Sequence, residues 1–391
     1  MPLNKSSPLT SAVIGHFIID LYSPILPVIL PLLITSMDLS YFLAGLVVTV
    51  FNVVSSIFQP LVGIWSDKTG KHASIALCIL LGAVGISFAA VAGNYLILVC
   101  LVAGAALGHA FFHTSGMDLV YKNSPPAKIG LYNSIFTTAG SLSYALSPLL
   151  VGALIAFAGL PSVAWLSVIG FVAAGWIWMR TKKSGAPGTS LPKKTARPSQ
   201  IEGNKTAAAL VVIVCALRAV GYIGIITYLP TLLLQTQEGM TTLLASVVVT
   251  VMLISGVAGQ LTGGWAGDKI GRKLMLVIGL SASIPSYLLI FAGNTVLMYL
   301  GLMVYAFFAS CCYVTSVTMT QELLPGKTGL ASGLTLGFTL GLGGLAASGV
   351  GLIADATGDL SGAMFLLIIP IILAPVIALF IRYKKPATAA A

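Results

Sequence analysis

Residues 63–72 read GIWSDKTGKH, and residues 264–273 read GWAGDKIGRK. Both stretches have the pattern G-x-x-x-D-x-x-G followed at once by two basic residues, and each lies between two long apolar runs. A second, shorter repeat relates AKIGL at 127–131 to GKTGL at 326–330. Because the two repeats fall at matching places along the chain, they indicate a duplication with parallel repeats.

The composition is that of a membrane protein. The chain has 391 residues, of which 57% are hydrophobic and 8% are charged, and its mean hydropathy is +1.01. A soluble domain carries roughly 25% charged residues. The composition therefore excludes a soluble enzyme, a disordered protein and a nucleic-acid binder.

The apolar residues form twelve continuous runs, which we number segments 1 to 12 in chain order. A membrane-spanning helix needs about 20 apolar residues, whereas the strands of membrane barrels are shorter and alternate in polarity. The runs predict an all-α polytopic membrane protein with twelve transmembrane helices. The segments are 9–34, 39–65, 73–92, 94–120, 129–157, 161–179, 207–234, 240–266, 274–293, 295–321, 328–354 and 360–382.

The largest break between segments is 181–206, which is rich in Lys, Pro, Gly and Ser and has no apolar periodicity. This composition predicts a flexible linker. We therefore expect two pseudo-symmetric six-helix bundles, one formed by residues 1–180 and the other by residues 207–391.

The charges predict the orientation in the membrane. All Lys and Arg outside the apolar runs fall at one end of the predicted bundle, which we call the basic end. The loops at the opposite end, which we call the acidic end, contain Asp and Glu but no Lys or Arg. By the positive-inside rule, the basic end, both termini and the linker are expected in the cytoplasm. The basic end holds the linker and Lys5, Lys68, Lys71, Lys122, Lys128, Lys269, Arg272, Lys273, Lys327, Arg382, Lys384 and Lys385; the acidic end holds Asp38, Glu238, Asp355 and Asp359.

The duplicated loop, the twelve segments and the basic linker together resemble the major facilitator superfamily, over essentially the whole chain. In that family these loops gate the cytoplasmic side, so the resemblance implies gating roles for Gly63, Asp67, Gly70, Lys71, Gly264, Asp268, Gly271 and Arg272. The first glycine of each loop would allow close helix approach, and the second a tight turn. Each aspartate can cap a neighbouring helix or pair with a basic residue.

Five ionisable residues are predicted to lie deep in the membrane. They are His16 and Asp20 in segment 1, His109 and His113 in segment 4, and Arg218 in segment 7. Placing a charge at the centre of a membrane costs about 2.5–3.5 kcal/mol on insertion scales, so such residues are candidates for function. Each pair in segments 1 and 4 is spaced i,i+4 and shares a helix face. In the superfamily, segments 1, 4, 7 and 10 line a central cavity.

We therefore expect Asp20, His16, His109 and His113 to carry a coupling proton, because histidine changes its charge near neutral pH. Arg218 is a permanent cation that suits an anionic substrate, although it could instead pair with Asp20. A metal site at His109 and His113 is not expected, because a second pair of ligands is lacking. The candidate substrate-binding residues are Arg218, Tyr22, His113, Tyr222, Tyr305 and Tyr313.

Segments 1, 4 and 7 are similar to those of the fosmidomycin-resistance group of the superfamily. Segment 1 contains GHFIIDLYSPILPVILPLL, segment 4 contains GHAFFHTSG, and segment 7 contains LRAVGYIGIITYLP. The resemblance implies proton-driven export of a small phosphonate-like antibiotic or a related organic anion. Proton-coupled uptake remains open, and a polytopic enzyme or receptor is the other class considered.

The chain has no phosphate-binding loop of the ATP-driven pumps and no catalytic cluster at membrane depth. We expect a transporter that is not an enzyme and needs no cofactor. Its partners would be protons, a small anionic substrate and membrane lipid, without nucleic acid. The expected form is a monomer in a bacterial or archaeal inner membrane.

Overall fold

The computed structural model describes residues 8–69, 71–124, 129–183, 204–325, 330–331 and 333–383. All regular secondary structure among these residues is helical. A 3₁₀-helix, Leu160–Trp165, opens segment 6, and a π-helix, Gly333–Phe338, opens segment 11. The α-helices are Pro8–Asp20 and Ile25–Met37 in segment 1, Tyr41–Thr69, Ile75–Ala89, Tyr95–Asn123, Ile129–Ala158 and Leu166–Lys183 in segments 2 to 6, Lys205–Thr236, Thr242–Ile270, Arg272–Ile290, Thr295–Leu323 and Thr339–Thr357 in segments 7 to 11, and Leu360–Phe365 and Ile368–Leu379 in segment 12.

The predicted all-helical fold with twelve segments is confirmed. Within the described ranges, eleven helical spans are long and apolar enough to cross a membrane. The remaining segment is the apolar helix Ile75–Ala89, which has 15 residues and is shorter than the predicted run of 73–92. Its first turn is capped by Ser74, whose hydroxyl accepts a hydrogen bond from the backbone N–H of Leu77.

Three helix pairs make most of the described contacts between the first six segments and the last six. Segment 2 packs against segment 11, segment 5 against segment 8, and helix Ile25–Met37 against segment 7. Hydrogen bonds accompany the packing between the six-segment sets. Thr49 donates to the carbonyl oxygen of Gly344 at 2.5 Å, and Ser141 donates to Gln260 at 3.2 Å.

The contact between segments 2 and 11 tightens towards the acidic end. A methyl group added at Gly333, near the basic end, would meet no atom within 4 Å. At Gly341 it would lie 3.1 Å from Cβ of Ser56, and at Gly344 only 2.5 Å from Cβ of Asn52. The two helices are therefore in closest contact towards the acidic end.

Part of the predicted linker is helical. Helices Leu166–Lys183 and Lys205–Thr236 extend into the predicted range 181–206 from both sides. Residues 184–203, between them, lie outside the described residues, as do Gly70 and five of the predicted basic-end lysines: Lys5, Lys128, Lys327, Lys384 and Lys385. The division of the chain at this linker stays a prediction.

Segments 8 and 10 touch backbone to backbone. A methyl group added at Gly263 would collide with the backbone of Cys311, and one at Gly259 would collide with the backbone of Phe307. The absence of a side chain at these two positions lets the helices approach this closely. Gly349 is exposed on segment 11, and a methyl group there would meet nothing within 4 Å.

We expect Gly263→Val to lower the melting temperature of the purified protein by about 5 °C, because overpacking costs about 1–3 kcal/mol. Gly349→Val adds the same side chain in open space and is the matched control. The measurement is thermal unfolding in one detergent. Equal melting temperatures for the two variants would show that the packing of segments 8 and 10 tolerates a side chain.

Candidate functional site

Segment 1 is broken in the middle, and Asp20 is the last residue of its first helix. Residues 21–24 form turns between helices Pro8–Asp20 and Ile25–Met37. Pro24 lies four residues after Asp20, and a proline ring clashes with the carbonyl four residues before it. Within the break, the carbonyl of Leu21 accepts a hydrogen bond from Ser147 at 2.6 Å, which satisfies it away from water. The proline thus places a carboxylate at a helix end inside the bundle.

Three histidines surround the Asp20 carboxylate. His16 Nε2 lies 3.0 Å from Oδ2, while His113 Nε2 and His109 Nε2 lie 3.1 and 3.3 Å from Oδ1. The Nε2 atoms of His109 and His113 are 2.9 Å apart. The Asp20 side chain is 13% exposed and that of His16 is 6% exposed. The structure thus brings together all four residues predicted to carry the coupling proton.

Segments 2 and 5 hold the outer sides of this cluster. His16 Nδ1 donates to the carbonyl oxygen of Phe136 at 2.7 Å, and the two rings stack with their centroids 4.0 Å apart. Ser55 contacts His109 Nδ1 at 3.1 Å. A methyl group at Gly140 would lie 2.5 Å from both Asp20 Oδ2 and His16 Nε2, so only glycine fits against the cluster there. These supporting residues were not predicted, because a backbone carbonyl leaves no sequence signal.

The geometry calls for a proton between His16 and Asp20. A carbonyl oxygen only accepts, so the Nδ1 of His16 that contacts Phe136 must carry a hydrogen. In a neutral imidazole the other nitrogen, Nε2, then presents a lone pair. That lone pair would face the carboxylate oxygen at 3.0 Å and repel it. A proton on Nε2 turns this repulsion into a charge-assisted hydrogen bond.

The cluster also has the donor atoms of a metal site. His16, Asp20 and His113 offer donors that lie within 4.8 Å of one another, close enough for one ion. The expectation of no metal rests on the lack of a second pair of ligands for His109 and His113, and the fold brings His16 and Asp20 beside His113.

Arg218 lies in the last six segments, between aromatic rings. Its guanidinium carbon is 4.9 Å from the ring centroid of Tyr313 and 5.7 Å from that of Tyr222. The residue is 8% exposed, and its Nε has no hydrogen-bond partner among the described residues. A small gap beside it is lined by Ser283 and Tyr305. The predicted binding residues Tyr222 and Tyr313 are only partly buried and flank the cation.

The alternative pairing of Asp20 with Arg218 is not present in this conformation. Asp20 is bound by histidines, and no ion pair joins it to Arg218 in the described part of the chain. The candidate binding residue Tyr22 is 1% exposed, and its hydroxyl donates to the carbonyl oxygen of Leu166 at 2.8 Å. Tyr22 therefore packs in the core between segments 1 and 6. Tyr305 is also buried, behind Tyr222.

The first glycines of the repeated loops do not serve close packing, contrary to the prediction. A methyl group at Gly63 would meet only Thr114, at 3.9 Å, and one at Gly264 would meet only Val314, at 3.7 Å. Both are ordinary contact distances. The second glycine of the later loop, Gly271, has φ +102° and makes the turn between segments 8 and 9.

The later loop forms a charge cluster at the basic end. Arg272 donates to Asp268 at 3.1 Å and also to Glu322, which in turn accepts a hydrogen bond from the hydroxyl of Tyr383. Asp268 therefore pairs with a basic residue, which is one of the two roles that the sequence predicts for it. In the earlier loop, the Asp67 side chain and Gly70 lie outside the described residues, and Lys71 is exposed.

The sequence comparison decides the family. The model of the Major Facilitator Superfamily matches residues 12–259 and 233–391. This chain belongs to the major facilitator superfamily. Members of the superfamily are secondary transporters, so the chain is a multi-pass membrane transporter and not an enzyme.

Relatives within the superfamily cover most of the chain. The chain is 28% identical over 349 residues to the fosmidomycin resistance protein of Escherichia coli (strain K12), covering 88% of this chain and 85% of that protein. It is 26% identical over 351 residues to the uncharacterized transporter YfnC of Bacillus subtilis (strain 168), covering 88% and 86%.

Solved structures of the superfamily share the fold. A bacterial homologue of the human lysosomal transporter Spinster, in an inward-facing and occupied conformation, matches with a TM-score of 0.78 and 13% identity, over 95% of this chain and 96% of that one. The nucleoside transporter NupG matches with a TM-score of 0.73 and 16% identity, over 96% and 100%.

We expect Gly140→Ala to disturb the Asp20 cluster, because the added methyl group would overlap Asp20 and His16. The measurement is the ¹⁵N NMR spectrum of histidine-labelled protein, in which His72, outside the cluster, is the internal reference. Gly104→Ala in segment 4 is the matched control, since nothing lies within 4 Å of it. Histidine signals that are unchanged in Gly140→Ala would contradict the close approach of segment 5.

Proposed function

We propose that this transporter exports a small organic anion, of the phosphonate-like antibiotic class, in exchange for protons. The observation that carries the proposal is the division of charge between the two six-segment sets. A titratable cluster lies in the first set, at Asp20, and a fixed cation with no acidic partner among the described residues lies in the second, at Arg218. The positive-inside rule favours a cytoplasmic basic end, and segments 2 and 11 are in looser contact towards that end.

The proton is assigned to the Asp20 cluster. Two of its contacts, from His16 and His113, join imidazole nitrogens directly to the carboxylate, so one proton can be shared or lost without moving the backbone. The cluster is partly exposed through the His113 side chain, which is 24% exposed. Protons can therefore reach the cluster through the exposed part of His113.

The anion is assigned to Arg218. A buried guanidinium is costly unless it is paired, and the flanking rings of Tyr222 and Tyr313 offset only part of that cost. A phosphonate or carboxylate would supply the missing acceptors and could accept two parallel hydrogen bonds. The name of the Escherichia coli relative, a fosmidomycin resistance protein, supports a phosphonate as the probe substrate.

Coupling requires that occupancy of one site changes the affinity of the other. A substrate anion at Arg218 adds a negative charge to the bundle and so changes the affinity of the Asp20 cluster for protons. Uptake in symport with protons is the alternative, because the same two sites would serve transport in either direction.

We expect Asp20→Asn to abolish fosmidomycin transport driven by a pH gradient in proteoliposomes, while exchange without a gradient is partly retained. Asparagine keeps the shape but cannot carry the coupling proton. Asp38→Asn, at the acidic end and outside the cluster, should transport like the unmodified protein.

Unchanged uphill transport in Asp20→Asn would remove Asp20 from the mechanism.

The same assay is run with and without EDTA, because three residues of the Asp20 cluster could hold a metal ion. We expect no effect of the chelator. Transport that is lost with EDTA and restored by Zn²⁺ would mean that the cluster works with a metal ion.

We expect Arg218→Lys to weaken fosmidomycin binding by about tenfold or more, because lysine keeps the charge but lacks the two-pronged donor geometry. Arg218→Ala should lose anion transport altogether. The control is Arg180→Ala, since Arg180 also lies over an aromatic ring, that of Trp176, but is at the basic end. Normal binding and transport of fosmidomycin by Arg218→Ala would refute the assignment of the anion to Arg218.

A further inference from the structure

An aspartate from the last six segments caps a helix of the first six. The carboxylate of Asp355, near the end of helix Thr339–Thr357, accepts hydrogen bonds from the backbone N–H groups of Tyr41 and Phe42. Both distances are 2.8 Å, and each carboxylate oxygen takes one bond. Tyr41 and Phe42 are the first two residues of the segment 2 helix. The contact therefore joins the two six-segment sets at the acidic end.

The first turn of the segment 2 helix needs these partners. The first N–H groups of a helix have no acceptor within the helix, and they carry the positive end of its dipole. The helix's own N-cap, Ser40, accepts from the N–H groups of Leu43 and Ala44 through its side chain and backbone. The N–H groups of Tyr41 and Phe42 are left for Asp355. The cap is thus complete only while segments 2 and 11 are together.

Tyr41 of segment 2 is also held through its backbone carbonyl. The hydroxyl of Tyr228 donates to the carbonyl oxygen of Tyr41 at 2.5 Å and to that of Ala347 at 3.1 Å. Methyl groups at Gly45 and Gly351 would collide with the facing helix, so the backbones are in close contact here. The acidic end is therefore closed by a small set of directional contacts on Tyr41.

We propose that Asp355 is a gating residue of the transport cycle, acting as the latch that keeps the acidic end closed. Segments 2 and 11 cannot separate at that end without breaking both of its hydrogen bonds. Asp355 is exposed, so water can take over these bonds as the helices part. The latch is therefore weak enough to reverse in each cycle. The inference rests on the proposed function only in linking the latch to transport.

The test measures the separation at the acidic end by double electron–electron resonance. Spin labels are placed at Leu96→Cys and Val296→Cys, which occupy the first turns of segments 4 and 10 and are 71% and 73% exposed. Cys100 is replaced by serine because it is the exposed native cysteine, whereas the other four are buried. This distance measurement needs neither substrate nor a pH gradient.

We expect Asp355→Ala to increase the population with longer distances about fivefold, because both charge-assisted bonds are lost at an exposed site. Asp355→Asn should lie between Asp355→Ala and the parent, and it replaces Asp355→Ala if that variant does not fold. Asp355→Glu should restore the parent distribution. The matched control is Asp359→Ala, because Asp359 is on the same end and caps Gly362 within its own set of segments.

A distance distribution in Asp355→Ala that equals the parent's would overturn the latch.

Fosmidomycin flux at saturating concentration is measured on the same variants and should change by about threefold or more in Asp355→Ala but not in Asp359→Ala. An altered distance distribution with unaltered flux would overturn the link to the transport cycle. If every variant, including the parent, fails to move fosmidomycin, the proposed substrate is wrong, whereas the distance measurement still decides the latch.

Discussion

A carboxylate inside an apolar helical bundle needs compensating donors, and the Asp20 cluster is organised around that need. Pro24 ends the first helix of segment 1 at Asp20, and the C-terminal end of a helix disfavours a negative charge. Three imidazoles offset this unfavourable effect, and their nitrogens lie 3.0–3.3 Å from the carboxylate oxygens. The position of His16 depends on the carbonyl of Phe136 and on the missing side chain at Gly140, and His109 contacts Ser55. Four segments, 1, 2, 4 and 5, are thus tied to one charge.

The two six-segment sets share an architecture but differ in their polar chemistry. The first set holds groups that gain and lose protons. The second holds Arg218, which stays charged at any pH the cell meets. A transporter that couples protons to an anion needs one site of each kind, and the duplication supplies two scaffolds on which they can diverge. In the proposed cycle, the contact of segments 2 and 11 decides whether the acidic end of the bundle is closed.

The fold could be predicted from the sequence because its causes are local and repeated. Long apolar runs give the helices, and the loops at 63–72 and 264–273 give the duplication. The cluster around Asp20 could be predicted in part, because i,i+4 spacing in segments 1 and 4 puts each pair on one face. The roles of Tyr22 and Gly63 could not, because burial and helix separation depend on which neighbours the fold brings near. The capping role of Asp355 could not be predicted either, because its partner Tyr41 lies more than 300 residues away in the chain.

The central claim is that the Asp20 cluster exchanges a proton when the substrate anion binds. Isothermal calorimetry of fosmidomycin binding in two buffers with different ionisation enthalpies counts the protons that the protein takes up or releases. We expect binding of one anion to change the number of bound protons by about one in the unmodified protein and not at all in Asp20→Asn. Tight binding of fosmidomycin without proton exchange in the unmodified protein would contradict it.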